Sequence, residues 1–305
     1  MKPNPIPTSI PPEDVTVVIP TLNESEAIGI VLDELKQEGY MNVLVVDGYS
    51  TDGTVDIVSG RGVPVIYQHG SGKAGAIKTA LEHVKTSYML VMDGDYTYDP
   101  RDIKRMLPHA ANYDEIIGVR TTQNISWLHR LGNKIINYVF NLLFGAGLSD
   151  VCSGMYLVKT EALKKAELGS RGFNVEVEVA AYMCSHGRVT EVPVNYRLRI
   201  GRRKLKTFRD GFAIALSIIG LARAYNPIFL FSSLAFTLTI PGVILTLWQL
   251  YLRYMYGAEA WSIGVSWLGL FLLIVGLQGF TVATISLMLK RMERRIIQTI
   301  KGGEA

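Results

Sequence analysis

Residues 15–20 read VTVVIP, and this short apolar run, rich in β-branched residues, is the first of five such runs in the chain. The other four lie at residues 42–47, 63–68, 88–93 and 115–119. Apolar strands that alternate with helices are typical of a parallel sheet covered on both faces. The first 200 residues therefore predict an α/β fold with a mostly parallel sheet that includes these five strands.

Two helical patterns lie between the strands. The first is capped by either Ser25 or Asn23, and it places on one face the apolar side chains of Ala27, Ile28, Val31, Leu32 and Leu35. The second covers residues 72–85. Its Gly-rich start lacks the spacing of a Walker A loop, and no G-x-G-x-x-G follows any strand, so the usual dinucleotide loop is missing. Lys73 in this start is a candidate phosphate contact, with a solvated lysine as the alternative.

Polar side chains follow three of the strands. They are Asn23 and Glu24 after the first strand, Asp47 and Asp52 after the second, and Asp93 and Asp95 after the fourth. Ligands of such sheets bind beyond the carboxyl ends of the strands, where gathered acids repel one another unless a cation binds. Two carboxylates spaced i, i+2 can both reach one divalent ion, and Mg²⁺ or Mn²⁺ prefers oxygen ligands. Asp93 and Asp95 are therefore a candidate metal site, and simple Asp-Gly turn chemistry is the alternative for each acid alone.

Two apolar segments near the C-terminus, residues 227–252 and 261–289, contain no charged residue. Each is longer than the roughly 20 apolar residues that span a bilayer. We therefore predict a transmembrane hairpin over residues 227–289. Two buried core helices of a soluble protein are the alternative, but helices so uniformly apolar have no polar face to present to water.

Basic residues flank both ends of the predicted hairpin. Residues 197–209 read RLRIGRRKLKTFR, and residues 290–295 read KRMERR. The positive-inside rule then predicts a multi-pass membrane protein whose N-terminal domain and basic tail, residues 290–305, lie in the cytoplasm. A basic run is often only a solvated face, but next to an apolar segment we expect it to face anionic lipid head groups and not nucleic acid.

Three further segments complete the organisation of the chain. Residues 206–226 contain an apolar stretch too short to span a bilayer, and they predict an amphipathic helix at the membrane interface. Residues 1–14 form a Pro-rich tail without the apolar region of a signal peptide. The two cysteines, Cys152 and Cys184, provide neither a disulfide framework nor a C-x-x-C metal pair.

The motifs VVIPTLNE, VVDGYSTDGT and VMDGDYTYDP, in this order and spacing, resemble those of family 2 glycosyltransferases of the GT-A fold. More narrowly, the chain resembles dolichyl-phosphate mannose or glucose synthases. The likeness extends over residues 15–225, with an expected catalytic domain at residues 15–205. It implies an inverting enzyme that moves a hexose from GDP-mannose or UDP-glucose to dolichyl or polyprenyl phosphate.

The resemblance also implies how the donor is bound. Pro20, Asn23 and Glu24 would border the nucleotide, and Asp47 would contact its base. Lys73 is a candidate contact to the phosphates from its own position at the helix start, and not from the resemblance.

The D-x-D pair has its own implied role. Asp93 and Asp95 would hold Mg²⁺ or Mn²⁺ on the diphosphate. The family often has Gln two residues after the second Asp, and this chain has Thr97 there as the third candidate metal ligand.

Five basic residues are implied around the phosphates, namely Arg120, Arg130, Arg202, Arg203 and Lys204. The first two fall where the family places arginines that bind the acceptor phosphate, and the others lie in a loop that covers both phosphates. The residues themselves leave alternatives open. Arg120 would also fit an ion pair with Asp114 or Glu115, and Arg130 an ordinary solvated position on a helix.

Residues 149–154 read SDVCSG, which is similar to the family's D-x-x-S-G loop and places Asp150 and Ser153 near the site. A helix cap is the alternative role for Asp150. Glu176 and Glu178 lie near an acidic position of the family, and the motif does not decide between them.

The acceptor determines whether a protein base is needed. A phosphate monoester has a second pKa of about 6 and is ionised at neutral pH, so it requires none. A lipid or glycan with a neutral hydroxyl would require a base, with Asp150 as the candidate. A non-catalytic membrane scaffold is the remaining alternative, and the intact Asp47, Asp93 and Asp95 argue against it. A processive polysaccharide synthase is disfavoured because only two spans are predicted and the Q-x-x-R-W signature is missing.

Overall fold

The computed structural model describes residues 10–121, 127–169, 175–201, 214, 216–222 and 226–302. The chain divides into two compact units, Met1–Ile218 and Ile219–Ala305. Arg202, Arg203 and Lys204 lie outside the described residues, and so does most of the predicted interfacial helix, of which residues 216–222 are described and helical.

The first unit is built on a sheet with seven strands in the described residues. They are β1 (Val15–Thr21), β2 (Val43–Asp47), β3 (Val65–Tyr67), β4 (Tyr88–Val91), β5 (Glu115–Arg120), β6 (Tyr156–Lys159) and β7 (Val189–Val194). Their order is β3-β2-β1-β4-β6-β5-β7, and among them β6 alone runs antiparallel to its neighbours. The five predicted strands and the mostly parallel sheet are confirmed. The sequence analysis missed β6 and β7, whose pairings are made with strands distant in the chain.

Seven α-helices are described within residues 10–201. They are α1 (Ile28–Gln37), α2 (Thr54–Ser59), α3 (Gly72–His83), α4 (Ile103–Met106), α5 (Trp127–Phe144), α6 (Thr160–Leu163) and α7 (Val175–His186). The apolar face predicted for α1 is buried against the sheet, in one core with β1, β2 and β4.

The predicted cap of α1 is wrong. The residue at the N-cap is Ala27, and no side chain caps the helix. The carbonyl oxygen of Glu24 instead accepts hydrogen bonds from the N–H groups of Ala27 (3.0 Å) and Ile28 (2.9 Å). This backbone turn satisfies the N–H groups at the start of the helix. The Asn23 side chain is therefore available to bond with the neighbouring loop.

The register of the sheet brings the three acidic strand ends together. Thr21 at the end of β1 pairs with Asp47 at the end of β2, and Val18 of β1 pairs with Val91 at the end of β4. The three strands are parallel neighbours, so the loops that follow them emerge at one edge. This edge contains all the acidic side chains singled out at strand ends.

The second unit contains the helices α8 (Pro227–Tyr256) and α9 (Ile263–Gly302). Both are long and apolar enough to cross a membrane, over Ile228–Tyr256 and Ile263–Ser286, each with a mean hydropathy of 2.1. The helix α9 continues beyond the predicted span through the basic residues, because Lys, Arg, Glu and Met all favour helix.

Small residues allow α8 and α9 to approach closely. A Cβ at Gly276 would overlap the side chain of Thr239, and one at Gly279 would lie 2.9 Å from the Cβ of Ala235. Such contacts between small residues are the usual way in which membrane helices pack.

Candidate active site

Asp47 anchors the loop after β2. Its carboxylate is fully buried and accepts hydrogen bonds from Thr21 Oγ1 (2.9 Å), Ser50 N (2.7 Å) and Ser50 Oγ (2.6 Å). The intervening Tyr49 adopts a left-handed conformation with a φ of 67°. Such a conformation costs free energy for a residue other than glycine, and the hydrogen bonds around Asp47 stabilise it. Asp47 therefore shapes the edge of the site where the sequence placed the nucleotide base.

The loops after β1 and β2 brace each other. Asn23 Oδ1 accepts a hydrogen bond from Thr51 N (2.8 Å), and Asp52 accepts from Ser25 N (3.0 Å) and from Thr54. Burial raises the pKa of Asp52, but the hydrogen bonds from Thr54 and Ser25 outweigh it and lower the pKa to about 2. Asp52 thus belongs to the wall of the site.

Two exposed tyrosines stack next to this wall. The rings of Tyr49 and Tyr67 lie 5.2 Å apart with an interplanar angle of 15°, and both side chains are at least half exposed. Tyr67 ends β3 and pairs in register with Asp47. The sequence analysis did not single out this pair, whose only local signal is an aromatic residue at each strand end.

Lys73 bridges two acids. Its ammonium group lies 2.5 Å from Asp93 Oδ1 and 2.5 Å from Glu176 Oε1, and its side chain is only 9% exposed. Burial lowers the pKa of Lys73, but the two carboxylates outweigh it and raise the pKa well above its usual range. Lys73 is therefore a buried charged group and not a solvated lysine.

The same cluster distinguishes the two acids of α7. Glu176 is buried and joins Lys73, and burial raises its pKa. Glu178 instead accepts a hydrogen bond from Gly169 N at 2.7 Å, away from the D-x-D pair. Glu176 is thus the member of this pair that the structure brings to the site.

The loop that contains Ser153 packs directly on Asp93. A Cβ at Gly154 would overlap the Asp93 carboxylate, with the Asp93 Cγ at 2.7 Å. The loop is fixed from behind, because Gly154 N donates to Tyr98 Oη (2.7 Å) and the buried Ser153 hydroxyl donates to the carbonyl oxygen of Gly118 (2.5 Å). Ser153 therefore holds the loop that confines Asp93.

Asp95 is held by an arginine that the sequence analysis did not assign. Asp95 Oδ2 lies 2.6 Å from Arg199 Nη1, and Arg199 Nη2 lies 2.7 Å from Glu24 Oε1. Asp95 Oδ1 accepts hydrogen bonds from the backbone N–H of Thr97 (3.1 Å) and from its hydroxyl. Burial and the nearby charge of Asp93 raise the pKa of Asp95. No short-range pattern marks Arg199, since its partners lie 104 and 175 residues away in the chain.

Arg120 and Asp150 form a bidentate ion pair. Arg120 Nε lies 2.7 Å from Asp150 Oδ2, and Arg120 Nη2 lies 2.6 Å from Oδ1. The guanidinium also lies 5.5 Å from the centre of the Tyr196 ring. The alternative partners Asp114 and Glu115 are wrong, because the carboxylate that Arg120 contacts is that of Asp150, and Asp114 pairs with Lys159. Asp150 is not a helix cap either, because the next regular element is β6.

Arg130 is exposed on α5, whose two faces differ. One face buries Ile136, Phe140 and Leu143 in the domain. The other exposes four apolar side chains in a stripe at helical spacing, which are Leu131, Ile135, Tyr138 and Leu142. A helix of a soluble domain usually presents polar residues there.

The residues at this edge fit a divalent cation that also binds the substrate. Among the residues that the structure describes, no group of three or more His, Cys, Asp or Glu side chains is placed to hold a metal ion. Asp93 and Asp95 nevertheless offer carboxylate oxygens, and Mg²⁺ commonly takes one or two carboxylates and completes its shell with phosphate and water. The Thr97 hydroxyl is bonded to Asp95, so its predicted place as a third ligand stays a prediction.

Three comparisons connect this geometry to known proteins. The family described as "Glycosyl transferase family 2" matches residues 16–166. The "Glycosyltransferase AglJ" of Haloferax volcanii is 37% identical, over 79% of this chain and 82% of that protein. The "Dolichyl-phosphate hexose transferase" of the same organism is 32% identical, over 68% of this chain and 93% of that protein.

The fold has relatives among solved structures. Glucosyl-3-phosphoglycerate synthase from Mycobacterium tuberculosis, in complex with Mn²⁺, uridine diphosphate and phosphoglyceric acid, matches with a TM-score of 0.57 and 17% identity. The match covers 69% of this chain and 78% of that chain, and it shows the GT-A fold. With its family motifs, its relatives and this fold, the chain belongs to the family 2 glycosyltransferases.

Proposed function

We propose that this enzyme transfers a hexose from a nucleoside diphosphate sugar to dolichyl or polyprenyl phosphate at the cytoplasmic face of a membrane. The observation that carries the proposal is the meeting of the D-x-D acids with three buried or half-buried cations, Lys73, Arg199 and Arg120. Gly154 packs on Asp93 and donates to Tyr98 Oη, and the Tyr98 ring lies 5.4 Å from that of Tyr196. The Arg120 guanidinium lies over the Tyr196 ring, so these contacts connect the D-x-D acids with Arg120. Both a diphosphate and a phosphate acceptor need such cations.

The donor would lie along the edge formed by β1, β2 and β4. Pro20, Asn23 and Glu24 border the nucleotide in this proposal, and the base lies beside Asp47 on the exposed rings of Tyr49 and Tyr67. An exposed aromatic pair offers a flat apolar surface to a base at little entropic cost.

The leaving diphosphate is the group whose charge increases during the reaction. Asp93 and Asp95 would hold Mg²⁺ or Mn²⁺, which when bound neutralises part of this charge. Lys73 keeps Asp93 in place, because its ammonium group lies 2.5 Å from Asp93 Oδ1. Fixed charges of this kind stabilise the developing anion without reorganisation.

The acceptor phosphate would be oriented by Arg120 and Arg130, with Arg202, Arg203 and Lys204 on the loop that covers both phosphates. A guanidinium group binds phosphate in a bidentate manner and can align its oxygen for in-line attack, which inverts the anomeric carbon. Because the monoester is already ionised at neutral pH, no protein base is required.

The described residues disfavour an acceptor with a neutral hydroxyl. Such an acceptor needs a base, and the candidate Asp150 accepts two hydrogen bonds from the Arg120 guanidinium. Both carboxylate oxygens of Asp150 are therefore engaged by the guanidinium and do not face an acceptor hydroxyl as a free base would.

A lipid acceptor agrees with the apolar surfaces of the chain. The helices α8 and α9 are suited to cross a membrane, and the exposed stripe of α5 is suited to a lipid interface. The proposed domains are the catalytic domain at residues 15–205, the interfacial region at 206–226 and the hairpin at 227–289.

The proposal is tested with membranes that contain the full chain. They are supplied with labelled GDP-mannose or UDP-glucose, polyprenyl phosphate and Mn²⁺ or Mg²⁺. We expect Asp93→Asn to lower transfer by at least about 100-fold, in the range found when a main electrostatic group is removed. Asp56→Asn, at an exposed position on α2, is the matched control and should retain full activity. Undiminished transfer by Asp93→Asn would refute the role of the D-x-D pair.

A further inference from the structure

The segment that follows β7 lies along the D-x-D loop. Tyr196 forms an antiparallel bridge with Tyr98, Arg197 N donates to the carbonyl oxygen of Thr97 (2.8 Å), and Ile200 N donates to that of Asp95 (3.2 Å). These backbone hydrogen bonds hold the side chain of Arg199 over the carboxylate of Asp95. Its position is therefore set by the fold and not by a flexible surface chain.

The Arg199 guanidinium lies where a cation is expected. It bridges Asp95 of the loop after β4 and Glu24 of the loop after β1, at 2.6 Å and 2.7 Å, and both acids are almost fully buried. Two carboxylates from adjacent strand ends form the kind of oxygen site that a divalent ion also prefers. The Arg199 Nε–H is buried and has no acceptor among the described residues.

Both oxygens of Asp95 are occupied in this arrangement. Thr97 takes Oδ1 from within the same turn, while Arg199 takes Oδ2 from a separate segment. Arg199 occupies one lone-pair direction of Oδ2 and places a positive charge beside it. A metal ion that coordinates this oxygen is therefore repelled by Arg199 and binds more weakly until Arg199 has moved away.

We propose that Arg199 is a positioning residue that competes with the divalent cation for Asp95. In the nucleotide-free protein Arg199 neutralises Asp95 and Glu24, and it releases Asp95 when the cation arrives with the diphosphate. The inference rests on the proposed function, since it requires a nucleoside diphosphate as the joint ligand.

A coupling between metal and nucleotide follows from this competition. The cation alone binds weakly, because the Arg199 Nη1 that it displaces from Asp95 then has no replacement anion. A diphosphate offers such an anion to the released Nη1 and to the unpaired Nε, and arginine binds phosphate well in this forked geometry. Since linkage is reciprocal, the metal tightens nucleotide binding by the same factor as the nucleotide tightens metal binding.

The test measures Mn²⁺ binding by electron paramagnetic resonance in the detergent-solubilised full chain without nucleotide. Loss of one charge-assisted competitor corresponds to about tenfold in affinity, so Arg199→Gln should bind Mn²⁺ about tenfold more tightly than the wild type. The tightening of Mn²⁺ binding by a nucleoside diphosphate should shrink in this variant.

Two control variants separate charge from folding. Arg199→Lys keeps a cation near Asp95 and should bind Mn²⁺ close to the wild-type affinity. Arg197→Gln changes a neighbouring arginine whose partners are Glu34 and Asp99, so Mn²⁺ affinity should not change.

Unchanged or weaker Mn²⁺ binding by folded Arg199→Gln would overturn the proposal. If the melting temperature shows that Arg199→Gln does not fold, the proposal is tested on the wild type instead. Equal Mn²⁺ affinity of the wild type with and without a nucleoside diphosphate would then overturn it. Hexose transfer is measured in parallel, because its absence in the wild type counts against the proposed function, whereas transfer with no effect on Mn²⁺ affinity counts against Arg199 alone.

Discussion

Substitution of Gly154 by alanine would displace the first acid of the D-x-D pair. A Cβ at this position would lie 2.7 Å from the Asp93 Cγ and 3.0 Å from its Oδ1. Ordinary carbon contacts begin near ~3.5 Å, so the carboxylate must move by about 0.8 Å. The loop cannot move easily, because two hydrogen bonds hold it. Gly154 N donates to Tyr98 Oη, and the Ser153 hydroxyl donates to the carbonyl oxygen of Gly118.

We expect the displacement of Asp93 to lower the rate of catalysis. A misplacement of about 1 Å at a reacting centre costs on the order of 100-fold, so we expect kcat to fall about 100-fold in Gly154→Ala. Gly154 does not have a positive φ, and alanine brings no backbone strain there. The melting temperature should therefore change little.

The assay compares kcat, KM and melting temperature of the solubilised full chain. Gly132→Ala on α5 is the matched control, because its Cβ would meet open space and its activity should be unchanged. Wild-type kcat in a folded Gly154→Ala variant would refute the reasoning that the position of Asp93 is confined by this loop.

Two further predictions concern stability. Burial raises the pKa of Glu115 from 4.5 to about 8, which corresponds to at most about 5 kcal/mol. The unfolded chain ionises first, so this stability is present below about pH 4.5 and is lost as the pH rises through 8. Glu115→Gln should raise the melting temperature more at pH 9 than at pH 5, and an equal effect at both would contradict the reasoning. In the hairpin, Gly276→Leu would collide with Thr239 and should destabilise the chain by about 1–3 kcal/mol. Gly264→Leu, where the Cβ meets open space, is the control, and similar melting temperatures for the two variants would argue against close packing of α8 and α9.

The parts of the fold that were predictable have local signals. The runs at β1, β2 and β4 are continuous, apolar and mostly buried, so their sequence alone identifies them. The strand β6 reads YLVK and β7 reads VTEVPV, and their place in the sheet depends on partners such as β4 and β5. Short strands whose pairing is distant in sequence leave no comparable local pattern.

The residues of the site also divide into those with a local sequence signal and those without one. Asp93 and Asp95 were predictable because both lie close after the end of the strand β4 and close to each other. The ion pairs were not, since Arg120 meets Asp150 across 30 residues and Arg199 meets Glu24 across 175. Glu176 and Glu178 lie two residues apart on α7, where helical geometry directs them differently, and only the packing against Lys73 separates their roles.

These ion pairs suggest how the site is stable before substrate binds. Lys73, Arg199 and Arg120 each neutralise at least one buried acid in the absence of any ligand, namely Glu176, Asp95 and Asp150. Buried acids without such partners would be costly, and the partners must be rearranged when phosphates arrive.

The acceptor that we propose is a lipid phosphate. The most direct measurement incubates the membrane-bound full chain with labelled nucleotide sugar, Mn²⁺ and polyprenyl phosphate, and then analyses the extracted lipid. We predict label in a lipid that mild acid cleaves, as expected for a sugar linked through a phosphodiester at its anomeric carbon. Label only in an acid-stable lipid or in a glycan would contradict the account.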